Sequence, residues 1–436
     1  MKISYYNFYK TDGDGCIIYN SRTGNMARLD KEHYDKLNEF IINHKAIDDE
    51  QYEINLRRGG FIIADDIDES KLIEYYAQKV KHAMEILNLV IAPTADCNFR
   101  CKYCYEKEQL AISYMDKDVE DAIIRLLESK IDGLQTLNLT WYGGEPLLAL
   151  DTIRDLSRLI IKMCDNNGVV YEPGIITNGY LLTPERLQVL YDLNIYNIQI
   201  TLDGGRDIHN ERRPYKDGTG TYDVIMTNLK NCKDIIREGM VLRINTDKIN
   251  IDSVDDVRRR ISELQLEDRI HIYMARVNTT NDCYDNNKCF TCGEFSKLEL
   301  GFDKNDYKSK KVLSNKYPKP KAVNCIAEIE NSMVIGPDGE VYKCYADIGI
   351  KEYSIGNVKT GQKTINKRFL DFMMYNPTSS EKCGKCKFMP ICMSGCASER
   401  IAGKETCTRY KYILDDFIDI WTGLKEEEKR NAKESI

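Results

Sequence analysis

No stretch of this 436-residue chain approaches the length and apolarity of a membrane-spanning segment. The first residues, 1–6, also lack the apolar core of a secretory signal peptide. Positive charge is not in excess either, because the formal net charge is -7, which gives no overall attraction to nucleic acid or to anionic lipid. We therefore expect a cytoplasmic protein whose partners include neither nucleic acid nor a membrane.

Cysteine, in contrast, is plentiful. The chain has 16 cysteines, and in a reducing compartment this number favours metal ligands over disulfides. Three of them lie between positions 97 and 104, and ten crowd between Cys283 and Cys407. This uneven distribution predicts two iron-sulfur regions, separated by a scaffold, in a chain long enough for two or three domains.

The first group, Cys97, Cys101 and Cys104, has the spacing CxxxCxxC within one loop that follows an apolar run. Three ligands on a four-iron cluster leave one iron open, and an open iron can chelate a small molecule and pass it an electron. A four-cysteine site of the ferredoxin type cannot do this. The alternative is a zinc site that is completed elsewhere, but CxxxCxxC is not the usual spacing of zinc knuckles.

Strand-like and helix-like segments alternate in the middle of the chain. The predicted strands cover residues 87–92, 137–142, 169–176, 198–202, 241–245 and 270–275. Amphipathic helices are predicted at 119–127 and 184–190. Repeated βα units imply a parallel sheet with right-handed crossovers, in which chemistry gathers at the C-terminal ends of the strands. We therefore predict an α/β fold built on a partial (β/α)6 TIM-like barrel.

The turns at these strand ends carry candidate ligand-binding residues. Gly143 and Gly144 have no side chains, so the backbone can approach a ligand closely, and Glu145 adds a carboxylate that suits an ammonium group. A tight strand-to-helix turn, with Pro146 opening the helix, would explain the same residues structurally. Arg213 could meet a ligand carboxylate, although an exposed arginine in a polar loop is the alternative.

The stretch 87–275 resembles the radical S-adenosylmethionine (SAM) enzymes, in which the three-cysteine motif binds a 4Fe-4S cluster. The resemblance implies that the turn at 143–146 holds the methionine amino group of SAM and that Arg213 lies near its carboxylate. Thr177 and Asn178, with Gly179, would form the turn beside the ribose. The implied chemistry is reductive cleavage of SAM to methionine and a 5'-deoxyadenosyl radical, which abstracts hydrogen from a substrate.

The C-terminal cysteines resemble the SPASM domain, in which seven cysteines serve two auxiliary 4Fe-4S clusters. The resemblance implies an inner cluster held by Cys325, Cys344 and Cys396, and an outer cluster held by Cys383, Cys386, Cys392 and Cys407. Such a region is expected to be poorly ordered without its metal. Cys164 and Cys232 stand apart from the pattern, and we interpret them as small buried hydrophobic residues.

The inner set lacks a fourth ligand. Cys283, Cys289 and Cys292 lie upstream in a polar, lysine-rich loop, and Cys292 is the first choice among them. In related enzymes this ligand is either an additional upstream cysteine or absent, which leaves an iron open to substrate. The sequence is compatible with both arrangements. The expected cofactors are therefore three 4Fe-4S clusters, one radical SAM and two auxiliary, together with SAM.

The N-terminal segment, 1–85, belongs to neither cluster region. The predicted elements are strands at 16–19 and 26–29, a helix capped by Asp30, a short strand at 61–64 and a helix from about Asp68. A hairpin with helices offers a sheet edge and a groove, which together can capture an extended peptide. The arrangement resembles the precursor-recognition domain of many peptide maturases, and the alternative is a packing cap on the barrel bottom.

We therefore divide the chain into a peptide-recognition-like domain (1–85), a radical SAM barrel (86–276), a SPASM domain (277–412) and a C-terminal helix (413–436). The predicted function is a radical SAM maturase that abstracts hydrogen from a ribosomally made precursor peptide and forms a thioether or carbon-carbon crosslink. The expected partners are the precursor peptide with its leader and a reductant such as flavodoxin or ferredoxin.

Two other functions are considered. An anaerobic sulfatase maturase would carry its cluster motif near the N-terminus and an aspartate after the inner-cluster cysteine, whereas Tyr345 follows Cys344 here. An iron-sulfur electron carrier would have no use for the open-iron motif or for the turn at 143–146. No catalytic residue is assigned. Four residues could contact a peptide at the barrel mouth or belong to the core, and we leave them unassigned: Trp141, Tyr142, His271 and Tyr273.

Overall fold

The computed structural model describes residues 1–104, 106, 112–277, 285–306, 308–404 and 406–434. The chain divides into two compact units. Unit 1 comprises Met1–His82, Cys292–Cys325 and Met374–Ile436, and unit 2 comprises Ala83–Thr291 and Ile326–Met373. Among the described residues, no helix has both the length and the apolar character that crossing a bilayer requires.

The regular elements are numbered in chain order. The strands are β1 (Lys2–Ile3), β2 (Asn7–Asp12), β3 (Gly15–Asn20), β4 (Met26–Leu29), β5 (Ile62–Ile63), β6 (Ile86–Ile91), β7 (Thr136–Trp141), β8 (Val170–Thr177), β9 (Asn197–Leu202), β10 (Met240–Thr246), β11 (Ile270–Arg276), β12 (Ser332–Ile335), β13 (Val341–Tyr342), β14 (Gly356–Asn357) and β15 (Gln362–Lys363). The helices are α1 (Lys31–Asn43), α2 (Glu50–Gly59), α3 (Glu69–Lys81), α4 (Lys117–Glu128), α5 (Leu150–Asn167), α6 (Pro184–Asp192), α7 (Arg206–Arg212), α8 (Tyr222–Asn231), α9 (Val254–Glu263), α10 (Cys292–Lys304), α11 (Ser309–Asn315), α12 (Lys367–Met373), α13 (Met389–Cys392), α14 (Ala397–Ile401) and α15 (Tyr410–Glu434).

Unit 2 is built on one eight-stranded sheet with the strand order β11-β10-β9-β8-β7-β6-β12-β13. Strands β6 to β11 run parallel to their neighbours, and β12 pairs in parallel with β6. Strand β13 pairs antiparallel with β12 and forms one edge of the sheet. All six strands predicted for the barrel are present, which confirms the α/β class and the parallel sheet. Their C-terminal ends therefore lie along one edge, where a site is expected.

The strands of this sheet separate a buried face from a more polar one. In β7, Leu137, Leu139 and Trp141 are almost completely buried, while the residues between them are partly exposed. Because side chains alternate along a strand, the buried residues form one face, and the amphipathic helices α4 and α5 supply buried faces of their own. The more polar face is the one on which a ligand can bind.

The N-terminal part of unit 1 contains the antiparallel sheet β2-β3-β4. Strand β3 is buried along its whole length because both faces of the sheet are covered. On one face Ile18 packs in a cluster with Leu37 of α1, and on the other Ile17 packs in a cluster with Phe417 of α15. The N-terminal sheet therefore shares a hydrophobic core with the C-terminal helix.

The predictions for this segment are confirmed in outline. The two hairpin strands are present, and Asp30 and Asp68 cap α1 and α3 by accepting hydrogen bonds from backbone N–H groups of the first turns. The strand expected at 61–64 is shorter, Ile62–Ile63, and pairs with β1. Strand β2 was not predicted, because its sequence NFYKTD is mostly polar and it lies at an edge of the sheet.

The cysteine-rich part of unit 1 has little regular structure. Only the short helices α13 and α14 lie between Met389 and Ile401. The chain reverses between them through Met393 and Ser394, both in the left-handed region with φ of 47° and 65°. Local turns, not a sheet, therefore position the cysteines of this part.

Candidate functional site

The three-cysteine loop follows β6, at the C-terminal edge of the parallel sheet of unit 2. Its backbone is held by residues far away in the sequence, since Arg100 N donates to the Pro214 carbonyl (2.9 Å). Lys102 N donates in the same way to the Arg212 carbonyl (3.0 Å). Phe99, which is 1% exposed, anchors the loop in the core. The fold alone thus holds the loop that carries the three cysteines.

The thiols of this loop lie close together and are partly buried. Burial raises the pKa of all three, to about 12 for Cys104. Beyond burial, the pKa of Cys97 is raised by Glu145 and by the thiols of Cys101 and Cys104. Iron binds thiolates, so a bound cation is what would make these groups lose their protons at neutral pH. The donor set therefore fits the predicted cluster.

The two glycines of the turn after β7 are required by the cysteine loop itself. Gly143 has φ of +117°, and a Cβ there would overlap the Thr94 carbonyl oxygen; a Cβ at Gly144 would overlap the Asp96 carbonyl oxygen. Gly144 N and Glu145 N donate to these same two carbonyls, at 3.2 and 2.8 Å. The close backbone approach expected here is thus first an approach to the cysteine loop.

Glu145 ties two strand-end turns together. Its carboxylate is 1% exposed and accepts hydrogen bonds from Leu147 N (3.0 Å), the Thr177 hydroxyl (2.6 Å) and Asn178 N (2.7 Å). Burial raises its pKa, while these three donors lower it. The predicted residues 143–146, Thr177 and Asn178 therefore meet in one place, with Pro146 opening a short 3-10 turn. The contact of Glu145 with a ligand ammonium stays a prediction.

Arg213 lies at the centre of a buried polar network. The Tyr103 hydroxyl accepts from Arg213 Nη1 (2.9 Å) and from Asn245 Nδ2 (3.1 Å), and donates to Asp203 Oδ1 (2.7 Å). Arg213 is 8% exposed, so the alternative of an exposed loop arginine is wrong. The neighbouring Arg212 is paired more closely, with Asp203 (2.8 Å) and with Asp247 (2.6 Å), whereas Arg213 Nη1 lies 3.9 Å from Asp203 Oδ1.

Two donors beside this network have no hydrogen-bond partner among the described residues. They are the buried Arg213 Nε and the buried Asn98 Nδ2. The amide of Asn98 is oriented by Asn178, whose Nδ2 donates to Asn98 Oδ1 (2.7 Å). Buried donors are rarely left unsatisfied in folded proteins. A ligand with acceptor oxygens, such as a carboxylate or a ribose, would satisfy them, so the residues present fit SAM.

His209, which precedes Arg213 by one helical turn, is a structural residue. It is completely buried, Asp203 N donates to its Nδ1 (3.3 Å), and its Nε2 lies 3.1 Å from the Thr221 hydroxyl. Burial, and then the charges of Arg213 and Arg212, lower its pKa well below the usual value. The imidazole is therefore neutral at physiological pH and supports the loop that carries Arg213.

Glu106 is a candidate that the sequence prediction missed. Its carboxyl group lines a cavity of about 160 Å³ together with Gly143, Gly144 and Thr94. Its Oε1 is buried without a hydrogen-bond partner among the described residues, and burial raises the pKa of Glu106 to about 8. The only sequence signal was an acidic residue two positions after the last cysteine of the motif, which by itself is weak.

In unit 1 the thiols assigned to the outer cluster are neighbours. Burial raises the pKa of Cys392, and Cys383 and Cys386 raise it further. Thr408 N donates to Cys392 Sγ (3.3 Å), and Lys411 Nζ donates to Cys407 Sγ (3.4 Å). N–H donors to sulfur are typical of cluster-ligating cysteines and tune the potential of the cluster.

The remaining cysteines are placed as follows. Cys325 and Cys396 belong to unit 1, and Cys344 belongs to unit 2. Cys292 begins α10 in unit 1. Burial is the main cause that raises the pKa of Tyr412, and the thiols of Cys407 and Cys292 raise it further. Cys289 lies in unit 2, whereas Cys283 lies outside the described residues. Cys164 and Cys232 are each 1% exposed, in agreement with their interpretation as buried hydrophobic residues.

A single metal ion has no ready site here. No group of three or more histidine, cysteine, aspartate or glutamate side chains within the described ranges is arranged to hold one. This does not bear on the predicted clusters, because a four-iron cluster is larger than an ion and its ligands stand farther apart.

Comparison with known proteins agrees with this geometry. The family model of the radical SAM superfamily matches residues 91–261, and that of the SPASM iron-sulfur cluster-binding domain matches residues 325–387. A cysteine-type anaerobic sulfatase-maturating enzyme from Clostridium novyi is 27% identical over 351 residues, which cover 72% of this chain and 88% of that protein. A GTP 3',8-cyclase from Staphylococcus saprophyticus is 33% identical over 138 residues, covering 30% of this chain and 38% of that one.

Solved structures share the fold at low sequence identity. The structure of native anSMEcpe with bound AdoMet has a TM-score of 0.61 and 18% identity, and the match covers 78% of this chain and all of that one. Streptococcus suis SuiB has a TM-score of 0.52 and 16% identity, and the match covers 93% of this chain and 97% of that one. The fold of this chain is thus one that other proteins share.

Proposed function

We propose that this radical SAM enzyme, which also carries a SPASM domain, modifies a ribosomally made precursor peptide that it binds through its N-terminal sheet β2-β3-β4. Its cofactors are 4Fe-4S clusters and SAM. The proposed product is a peptide with a thioether or carbon-carbon crosslink. The observation that carries the proposal is an open sheet edge beside a groove, since a catalytic barrel alone would not indicate a peptide.

The residues of unit 2 have two proposed roles, which are to bind the cofactors and to fix their position. Cys97, Cys101 and Cys104 would hold the cluster, while the turn at 143–146 and Arg213 would hold SAM. When bound, these cofactors supply a 5'-deoxyadenosyl radical that removes a hydrogen atom from the substrate. The protein contributes the fixed position of the loop, because the radical has to lie close to one hydrogen of the substrate and away from other C–H and S–H groups.

The proposed docking edge is strand β4. Asn20 N donates to the Asn25 carbonyl (2.9 Å), and in an antiparallel pair alternate residues bond across the two strands. By this alternation Ala27 bonds to β3, while the N–H and C=O groups of Met26 and Arg28 point away from it. Strand β4 pairs only with β3 among the described strands. An added strand would find unpaired backbone groups there.

A groove lies beside this edge within unit 1. It measures about 610 Å³ and is lined by Met26 and Arg28 of β4, by Tyr317, and by Trp421 and Lys425 of α15. Aromatic and long side chains of this kind provide apolar pockets and charges for the side chains of an extended peptide. The groove therefore offers specificity where the edge offers backbone hydrogen bonds. SuiB, which shares the fold, has been solved with its precursor peptide SuiA.

The structure changes how this proposal should be tested. Deleting the segment 1–85 would expose the core that Ile17 and Tyr19 share with α15, so a truncated protein could lose binding by unfolding. A single proline substitution is a more specific test, because Met26→Pro removes one outward N–H of β4 and leaves the hydrogen bonds to β3 intact. Tyr9→Pro makes the same change at an outward position of β2, the other edge of the same sheet, and serves as the matched control.

The measurement is fluorescence anisotropy of a labelled leader peptide, for which a short reading frame beside the gene has first to be identified. We expect Met26→Pro to weaken binding about tenfold or more, since it removes a hydrogen bond and blocks strand addition at that point. Tyr9→Pro should bind as the unchanged protein does. Equal affinity of all three proteins would make the sheet a structural cap and would remove the main argument for a peptide with a leader.

Sulfatase maturation is the second candidate, because relatives that cover most of the chain carry that activity in their names. Two features count against it here. Tyr345, not aspartate, follows Cys344, and about ninety residues precede the cluster motif. Mass spectrometry separates the two products, since formation of formylglycine from cysteine removes sulfur and a thioether retains it. Sulfur loss from a sulfatase peptide would favour the second candidate.

The proposed reductant, flavodoxin or ferredoxin, would supply the electron that starts each cleavage of SAM. A flavodoxin and its reductase can be offered in place of dithionite under anaerobic conditions. Release of 5'-deoxyadenosine with both electron sources is the expected result, and it would also exclude a role as a simple electron carrier. Release with dithionite only would remove flavodoxin from the proposal.

A further inference from the structure

Arg243 lies on β10, on the more polar face of the sheet in unit 2. Its neighbours along the strand, Leu242 and Ile244, are completely buried, whereas Arg243 is half-buried and points to the opposite face. In the parallel register it stands between Thr201 of β9 and Tyr273 of β11. It is therefore placed on the face where substrate would meet the site.

The guanidinium of Arg243 is oriented by a hydrogen bond. Its Nε donates to Asn245 Oδ1 (2.8 Å), and Asn245 in turn donates to the Tyr103 hydroxyl of the cysteine loop (3.1 Å). Within the part of the chain that the structure describes, no carboxylate lies within ion-pair distance of Arg243. As far as the described residues go, its two Nη groups are thus left for another partner.

Two other arginines of unit 2 differ in this respect. Arg212 pairs with the carboxylate of Asp203 (2.8 Å), and Arg368 pairs with that of Asp347 (2.6 Å). Arg243 is half-buried, and a bound anion would compensate its charge as these carboxylates compensate theirs. The difference suggests that the anion opposite Arg243 comes from a bound molecule.

Arg243 is also close to the proposed chemistry. The ring of Tyr142 contacts that of Tyr345, with 5.2 Å between their centroids. Burial raises the pKa of Tyr142 most; Tyr345 and then Cys104 raise it further, while Arg243 lowers it. Both the last cysteine of the loop and Arg243 therefore lie near the same tyrosine. An anion held by Arg243 would be held beside the three-cysteine loop.

We infer that Arg243 binds a side-chain carboxylate of the peptide substrate, so that the modified residue or its neighbour is an aspartate or a glutamate. A planar guanidinium with two Nη groups suits a carboxylate, which it can bind through two parallel hydrogen bonds. This inference rests on the proposed function, since it names the class of residue that the same site receives. The other available carboxylate is that of SAM, which the resemblance assigns to Arg213.

The first test is protection of Arg243 from phenylglyoxal, which modifies accessible guanidinium groups. Anaerobically reconstituted holoenzyme is treated with the reagent, with and without SAM, and modification is quantified at each arginine by mass spectrometry. The probes are N-acetyl-aspartate methylamide and its asparagine counterpart, which has the same shape without the charge. Arg206, an exposed arginine that is paired with Asp223, is the reference.

With SAM present, we expect the aspartate probe to slow modification of Arg243 about tenfold and the asparagine probe to have no effect. Equal protection by both probes would overturn the inference, because charge would then not be recognised. Complete protection by SAM alone, with no further effect of the aspartate probe, would also overturn it, because the carboxylate would then belong to the cosubstrate.

A variant pair tests the same point by a second route. Arg243→Gln keeps a hydrogen-bond donor but loses the charge, and Arg243→Lys keeps the charge but loses the planar fork. Stimulation of deoxyadenosine release by the aspartate probe should fall about tenfold in Arg243→Gln and less in Arg243→Lys. Unchanged stimulation in Arg243→Gln would contradict the inference. The leader is proposed to bind at β4, and this contact does not involve Arg243. Loss of leader binding would therefore contradict the proposed function without changing the result of this test.

Discussion

The cysteine loop of unit 2 and the cysteine turns of unit 1 present the same type of ligand in different ways. The loop of unit 2 is bonded to distant residues, for example Arg100 N to the Pro214 carbonyl. Many backbone hydrogen bonds around the turns of unit 1 are local, as between Cys386 N and the Cys383 carbonyl (3.0 Å), although Lys321 N also donates to the Pro390 carbonyl (2.8 Å). The first set of proposed ligands is held by the fold, and the second set mostly by its own local turns.

This difference has a thermodynamic consequence. Ordering a segment costs conformational entropy, which the parallel sheet and the buried Phe99 offset in unit 2. The turns at 383–392 have fewer distant backbone hydrogen bonds, so binding of metal is expected to contribute more of their stability. One site should therefore keep its shape without iron, and the other should not.

The largest effect is expected when the three proposed cluster ligands of unit 2 are removed. We expect simultaneous replacement of Cys97, Cys101 and Cys104 by alanine to abolish deoxyadenosine formation, because no other described residues offer the open-iron motif. Iron should fall from about twelve to about eight per chain, since two auxiliary clusters would remain. Anaerobic reconstitution with iron, sulfide and product assays measures both effects.

Two results would contradict this prediction. Deoxyadenosine formed by the triple variant would mean that another cluster cleaves SAM. A plateau near four irons in the unchanged protein would mean that the SPASM cysteines do not bind two clusters. Replacing the buried Cys164 with alanine is the matched control, because that thiol is outside every proposed ligand set and should leave the iron content unchanged.

Removal of iron should affect the two cysteine regions to different extents. We expect hydrogen exchange of backbone amides to rise strongly in residues 383–407 after chelation under anaerobic conditions, and only slightly in residues 94–104. The reason is the difference between local and distant hydrogen bonds, since local turns open at a lower cost. Mass spectrometry of peptic fragments gives both values from one sample. Equal increases in both segments would show that the cysteine loop of unit 2 also depends on its cluster.

A smaller change should disturb the unit 2 site without removing a ligand. Gly144→Ala places a Cβ against the Asp96 carbonyl, so the cysteine loop or the turn has to move. We expect deoxyadenosine formation to slow about tenfold to a hundredfold, as displacements of an ångström commonly cause, while the iron content stays the same. Gly301→Ala is the control, because a Cβ at that helical position meets no atom within 4 Å. An unchanged rate in Gly144→Ala would show that the turn can adapt.

The scaffold of unit 2 was largely predictable because its signals are local. Runs of alternating or continuous apolar residues predict strands, and the cysteine spacing lies within one loop. Side-chain partners were not predictable in the same way. Glu145 binds Thr177 and Asn178, more than thirty positions away, and nothing in the local sequence distinguishes Arg212, which has acidic partners, from Arg243, for which no ion pair is described.

The composition of unit 1 was also beyond sequence patterns. The N-terminal sheet shares its core with α15, about 400 positions along the chain, and the amphipathic pattern of a strand or a helix does not say which partner covers it. Strand β2 was missed for a related reason, since an edge strand needs few apolar residues. What the pattern does fix is which face of each element is buried.

The smallest expected effect concerns His209, and it applies to unit 2 alone. Burial holds its pKa well below the value of about 6.5 expected in the unfolded chain. The unfolded state therefore binds a proton more readily than the folded state, so stability is complete above about pH 6.5 and falls as the pH drops below it, by up to about 1.4 kcal/mol per pH unit.

The two tryptophans allow the unfolding of each unit to be followed separately, because Trp141 lies in unit 2 and Trp421 in unit 1. In a Trp421→Phe background, urea unfolding followed by Trp141 fluorescence should show this slope between pH 6.5 and 5, and His209→Gln should flatten it. An equal slope in the two proteins would assign the pH dependence to other groups.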